Sequence, residues 1–273
     1  MIKMKKLFVM VALAVISLAA MPQTYARTAS SKKIAIVAHR GFWNCEEAGK
    51  AKNSIASLAQ AQANGFWGSE FDVNMTSDGV LVVYHDNSIK GKRIEEHTFA
   101  DFSDVRLANG ECLPTLDSYL DQALKKKIML VFELKPHSTK EIEDKAVEAS
   151  IQMLKEKGLL KKNRVMFISF SINVCKEFSK RLPGFTVQYL GEDLTASQVW
   201  EEGVNGIDTN YKVLTKDNSR YDDARSHGMS VNVWTVNKEE VMQSVIALGV
   251  DQITTDQPLQ LREVLATCGV KEK

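Results

Sequence analysis

Short apolar runs that break at a polar residue recur along the chain, separated by longer stretches whose apolar residues fall three and four apart. The run Ile34-Ala35-Ile36-Val37-Ala38 stops at His39-Arg40-Gly41, the pattern of a strand buried on both faces and followed by a loop. Comparable runs cover residues 68–74, 80–85, 128–135, 165–170, 186–190, 206–210, 231–236 and 252–255. Helical spacing marks 54–63, 116–124, 141–157, 173–181, 196–202, 219–227 and 238–248. Strand and helix alternate, which predicts a parallel sheet wrapped by helices.

The nine strand runs are one more than a closed barrel of eight uses. Residues 75–79, with the turn signal Ser77-Asp78-Gly79, are too few for a parallel crossover, so 68–74 and 80–85 must form a hairpin. The expected fold is therefore of the α/β class, a TIM (β/α)8 barrel with an extra hairpin strand after the second strand. An open doubly wound sheet fits less well, because no Gly-x-Gly-x-x-Gly follows the first strand and polar strand ends are spread around many strands. Residues 87–114 are the least regular and read as a loop excursion, where a barrel would carry a lid or a specificity element.

The 273 residues, 44% hydrophobic and 25% charged, have an ordinary globular composition and exclude a disordered or multi-span membrane chain. Residues 1–26 stand apart. Lys3, Lys5 and Lys6 precede the apolar run Leu7–Met21, and Thr24-Tyr25-Ala26 ends the segment before Arg27, the layout of a cleavable secretory signal. The expectation is an exported protein, periplasmic or secreted, with 27–273 as a single barrel domain and no stable membrane insertion after cleavage. Loss of the three lysines takes the formal net charge from +1 to −2, which suggests neither a nucleic-acid partner nor an anionic membrane surface. Cys45, Cys112, Cys175 and Cys268 show no Cys-x-x-Cys spacing, so one disulfide or none is expected, with the remaining thiols as small buried groups.

Catalytic groups of such barrels come from the carboxyl ends of several strands. His39 and Arg40 follow the first strand. Glu70 and Asp72 lie at i and i+2, so on a strand both face one side while Phe71 faces the other. His85 and Asp86 end the return strand, and Glu133 and Lys135 form a second i, i+2 ionisable pair. Gathering Glu70, Asp72 and Glu133 in one barrel mouth is costly without a positive group between them. A divalent hard cation, Mg²⁺ or Ca²⁺, suits three carboxylates better than zinc does, since no histidine or thiolate spacing typical of zinc is present. His39 and His85 add groups that titrate near neutrality.

The ordered set Ala38-His39-Arg40-Gly41, Asn53-Ser54, Glu70-Phe71-Asp72-Val73, Ser77-Asp78-Gly79, Val82-Val83-Tyr84-His85-Asp86, Pro114-Thr115-Leu116 and Phe132-Glu133-Leu134-Lys135 resembles the glycerophosphodiester phosphodiesterase family. Ile168-Ser169-Phe170, Val233-Trp234-Thr235-Val236-Asn237 and Ile253-Thr254-Thr255-Asp256-Gln257-Pro258 extend the resemblance over nearly the whole chain beyond the leader. It implies a TIM barrel that hydrolyses glycerophosphodiesters to an alcohol and glycerol 3-phosphate. Glu70, Asp72 and Glu133 would hold the metal and His39 and His85 would serve as acid and base. Arg40 and Lys135 would contact the phosphate, Asn53 would orient it or His39 or simply cap the helix starting at Ser54, and Trp234 would pack on the substrate. The partner implied is a small-molecule phosphodiester; the oligomeric state is not implied. Related barrels acting on lysophospholipids, sphingolipids or glycosyl phosphodiesters, or a silent barrel that only binds a phosphorylated ligand, are the alternatives. Lys52 departs from the family pattern, which carries an acidic residue before the asparagine, and is expected to favour anionic headgroups if it faces the site.

Overall fold

The computed structural model describes residues 33–273, so the signal segment read in 1–26 lies outside the described residues. From the amino end the first elements are β1 (Ala35–Ala38), α1 (Ile55–Ala63), β2 (Gly68–Met75), β3 (Leu81–Val83), β4 (Ser88–Ile89) and β5 (Lys92–Arg93). Then come α2 (Leu116–Lys125), β6 (Met129–Leu134), α3 (Lys140–Glu156), β7 (Val165–Ser169), α4 (Ile172–Arg181), β8 (Val187–Tyr189) and α5 (Ala196–Glu201). The chain ends with β9 (Gly206–Asn210), α6 (Tyr211–Lys216), α7 (Ser219–Ser226), β10 (Ser230–Trp234), α8 (Glu239–Leu248), β11 (Gln252–Thr255) and α9 (Pro258–Thr267).

β1, β2, β6, β7, β8, β9, β10 and β11 are each parallel to the next, and β11 returns to β1 to close an eight-stranded barrel. β3 stands outside it, antiparallel to β2. The length of β2 explains both pairings. Gly68 and Ser69 lie beside Val37 and Ala38 of β1, whereas Val73 to Met75, beyond the end of β1, take β3 as their partner. The hairpin turns at Gly79, whose φ of +84° suits glycine, and the Thr76 hydroxyl donates to Asp78 Oδ1 at 2.6 Å across it. The expected barrel and extra strand are both present.

Strand alternation sorts the side chains. Phe71, Phe132 and Phe167 point outward, where they pack with Tyr119 and Phe178 under the helices at centroid distances of 4.1–5.8 Å. Val37, Val131, Met166, Ile168 and Leu190 line the barrel bore. A satellite core of Val82, Ile89, Ile94, Phe102, Val105 and Leu113 gives the 87–114 excursion its own packing, around the β4–β5 hairpin and two short 3-10 turns at Ile94–Glu96 and Phe99–Phe102.

Two helices differ from the sequence expectation. α6 starts directly after β9, capped by the Asn210 side chain, and α9 starts at Pro258 in its first turn. All four cysteines are free and Cys175 is buried, but Cys112 and Cys268 are exposed where buried thiols were expected. No helix among the described residues is long and apolar enough to cross a membrane.

Candidate active site

The turn after β1 builds one wall of the site. Arg40 has φ +56° and Gly41 φ +76°. A Cβ on Gly41 would lie 2.7 Å from the Ser57 backbone, so only glycine fits this turn. The turn aims the Arg40 backbone N–H at Glu70, which accepts it at Oε2 at 2.7 Å.

β2 and β6 build the floor. Asp72 lies directly beside Glu133 in the parallel register, and two residue pairs deeper Glu70 lies beside Val131. One oxygen each of Glu70, Asp72 and Glu133 fall within 4.8 Å of one another, and all three residues are buried. Lys135 reaches back between them, with Nζ 2.5 Å from Glu133 Oε1 and 3.3 Å from Asp72 Oδ1. Arg40 Nε stands 3.5 Å from Asp72 Oδ2. Asn53, held at φ +57°, exchanges two hydrogen bonds with Asp72: its amide donates to Oδ2 at 2.8 Å and accepts from the Asp72 N–H at 3.2 Å. Capping of α1 falls to Ser54 instead, whose hydroxyl accepts from the Ser57 N–H.

Burial, with Asp72 and Glu133 nearby, pushes the Glu70 carboxyl well above the ordinary range. Burial and Asp72 likewise raise Glu133, to about 7, against the pull of Lys135. Asp72 differs: burial raises it, but Lys135, His85, Arg40 and the Asn53 amide together outweigh burial and leave it lowered. Two cationic side chains thus face three carboxylates, and Glu70 Oε1 is buried without a hydrogen-bond partner among the described residues. An all-oxygen donor set with a surplus of negative charge and an orphaned carboxylate oxygen fits a hard divalent cation, and this buried triad could hold one.

The two histidines stand over this cluster. His39 Nδ1 lies 2.8 Å from Asp256 Oδ1, which also accepts from the Trp43 indole at 2.9 Å, while Asp256 Oδ2 accepts from Asn237 at 2.8 Å. His85 Nδ1 lies 2.6 Å from Asp86 Oδ1. Burial lowers the His85 pKa, with Asp72 opposing. A cavity of about 190 Å³ takes in His39, Arg40, Glu70, His85 and Glu133 on one side and Trp234, Phe170 and Asp208 on the other. Trp234 meets Phe170 edge-on at 5.7 Å.

Of the residues singled out in the sequence, His39, Arg40, Glu70, His85, Glu133 and Trp234 line this cavity. Asp72 and Lys135 are ion-paired within the carboxylate cluster, and Asn53, 2% exposed, spends its amide on Asp72. Asp256, Asp208, Trp43 and Phe170 are additions. Asp208 could have been read by the same alternation as Asp72, as an acid flanked by Ile207 in a buried strand. Asp256, by contrast, gains its partners only when the barrel closes. Lys52 lies over the Trp43 ring with Nζ 4.5 Å from its centroid, outside the cavity. The acid at the start of α1 comes from Glu111, whose carboxylate accepts the Ile55 and Ala56 N–H groups at 2.8 and 3.1 Å.

Residues 39–260 match the model of the glycerophosphoryl diester phosphodiesterase family. The chain belongs to this family. A glycerophosphodiester phosphodiesterase from Parabacteroides distasonis is 44% identical, with a TM-score of 0.82 over 87% of this chain and 98% of that one. The Bacillus subtilis glycerophosphodiester phosphodiesterase is 26% identical over 257 residues, 84% of this chain and 85% of the relative. A more distant Oleispira antarctica phosphodiesterase, solved in complex with the product sn-glycerol-3-phosphate, shares the fold at 21% identity and TM-score 0.74, over 85% of this chain and 96% of that one. The chain is thus an enzyme of the phosphodiester hydrolase type, and hydrolysis of glycerophosphodiesters is the reaction of its family.

Proposed function

We propose that this enzyme hydrolyses glycerophosphodiesters to glycerol 3-phosphate and an alcohol, with His39 and His85 as the acid and base pair and one Mg²⁺ or Ca²⁺ held by Glu70, Asp72 and Glu133. The observation that carries this reading is the convergence of Glu70 and Glu133 of that buried triad, both histidines and Arg40 on one cavity. When bound, the cation supplies positive charge against the phosphate oxygens, where negative charge grows during attack. Arg40 and Lys135 add to that field and orient the diester. Asn53 acts through Asp72 by fixing its carboxylate, and Trp234 supplies an apolar wall for the carbon skeleton.

The hydrogen bond to Asp256 favours a proton on His39 Nδ1 and leaves Nε2 to face the diester; Asp86 does the same for His85. One histidine removes the proton from the attacking hydroxyl or water, and the other protonates the departing alkoxide. Replacing either with alanine should lower kcat at least about 100-fold with the fold intact. The test is release of glycerol 3-phosphate from a panel of glycerophosphodiesters, with lysophospholipid and sphingolipid diesters as controls, in the presence of Mg²⁺ or Ca²⁺. Release from the glycerophosphodiesters is expected; turnover of the lipid diesters alone, or a His85→Ala variant with near wild-type turnover, would contradict the proposal. We also propose that the protein is exported with cleavage before Arg27, so amino-terminal sequencing of the secreted form should begin there.

A further inference from the structure

We propose that Asp208 is a specificity-determining residue that reads a hydroxyl on the part of the substrate lodged against Phe170 and Trp234. The inference rests on the phosphodiesterase reading above and deepens it. Asp208 lies on β9, on the side of the cavity away from the turn after β1, and is 1% exposed. Its Oδ2 accepts from the Asn232 amide at 3.0 Å, but Oδ1 is buried without a hydrogen-bond partner among the described residues. A buried polar atom in that condition is costly unless a ligand satisfies it.

The surroundings define the ligand. Ile168, Leu190, Phe170 and Trp234 offer carbon and aromatic surface for a short carbon chain. Trp234 is fixed there, its indole N–H donating to the Asp208 carbonyl at 3.2 Å. Asp72 has Lys135 and Arg40 beside it, whereas the side-chain partner of Asp208 is a neutral amide. At 1% exposure, with a neutral amide as its side-chain partner and apolar walls around it, Asp208 sits where the ionised form that an ammonium headgroup would need is disfavoured by burial. A quaternary ammonium has no proton to donate, and a second anionic group would be repelled by the carboxylate cluster. A hydroxyl is complementary in either state, donating to an ionised Oδ1 or accepting from a protonated one. That hydroxyl belongs either to the glycerol end or to an alcohol headgroup.

Three diesters distinguish these sources, assayed with the full-length protein and divalent metal by phosphorus NMR: glycerophosphoethylene glycol, glycerophosphoethanol, and the ethylene glycol diester with 1,2-propanediol in place of glycerol. In the wild-type enzyme, kcat/KM should fall about 10- to 100-fold on the analogue that lacks the hydroxyl read by Asp208. A drop on the propanediol diester assigns the glycerol end, and a drop on glycerophosphoethanol assigns the headgroup. In Asp208→Leu, or in Asp208→Ala if the larger side chain prevents folding, the parent should fall to the level of that analogue, leaving a ratio within about threefold. A wild-type enzyme that cleaves all three alike overturns the inference whether or not a variant folds, as does a variant that keeps the full discrimination. Cleavage of none of the three overturns the phosphodiesterase reading instead.

Discussion

His39 owes its orientation to a carboxylate 217 residues away in the chain: Asp256 accepts its Nδ1–H with one oxygen shared with Trp43, and Asn237 holds the other oxygen. Burial alone would raise the Asp256 carboxyl, but His39, Asn237 and Trp43 outweigh it and hold the carboxyl down to about 2. The folded value lies below the unfolded value of about 3.9, so the stability Asp256 contributes is present above that pH and is lost as pH falls toward about 2. Urea unfolding of wild type and Asp256→Asn should therefore show a gap at pH 6 that narrows by pH 2; a constant gap would contradict the pairing. The same variant should lose at least about tenfold in kcat, as removal of an orienting partner does elsewhere. Glu70, Asp72 and Glu133 are legible in the sequence because an acid at every second position of an otherwise apolar strand can only face one side. Asp256 is not, because its role depends on closure of β11 against β1, which no local pattern encodes. Lys52 shows the same limit: its charge is plain in the sequence, but its place over Trp43 and outside the cavity is set by the loop between β1 and α1.

The elements that carry the site were largely readable as periodicity. β2 was, since Phe71 and Val73 alternate with its acids, β6 was as a continuous apolar run that ends at Glu133, and the hairpin to β3 followed from the shortness of its turn. α6 was hidden because it abuts β9 with no intervening loop and is only 6 residues long, too short to show a helical period. α9 carries a helical stripe of Leu261, Val264 and Leu265, but it begins at a proline, which is as much a turn signal as a helix start. The start of α1 draws on two distant parts of the chain, since the excursion supplies Glu111 to N–H groups that the helix leaves unpaired. Glu111→Ala should therefore cost about 0.5–2 kcal/mol in chemical denaturation, the range for losing a cap or an anion at a helix amino terminus. A change within about 0.3 kcal/mol would mean that solvent replaces the carboxylate at no cost.

Across the whole molecule, closure of the barrel brings the strand ends into one mouth, where the carboxylates of Glu70, Asp72 and Glu133 gather in burial. Three buried carboxylates against Arg40 and Lys135 leave a surplus of negative charge, and the triad could hold a divalent ion. Binding to the folded state alone should also raise the unfolding free energy, by about 2.7 kcal/mol at a metal concentration 100 times Kd. The most direct measurement is calorimetric titration of the chelator-stripped enzyme with Mg²⁺ and with Ca²⁺, run beside a glycerophosphodiester assay on the same samples. One equivalent of cation should bind, activity should return in step with occupancy, and Glu70→Gln should abolish both; full activity after exhaustive metal removal would contradict the account.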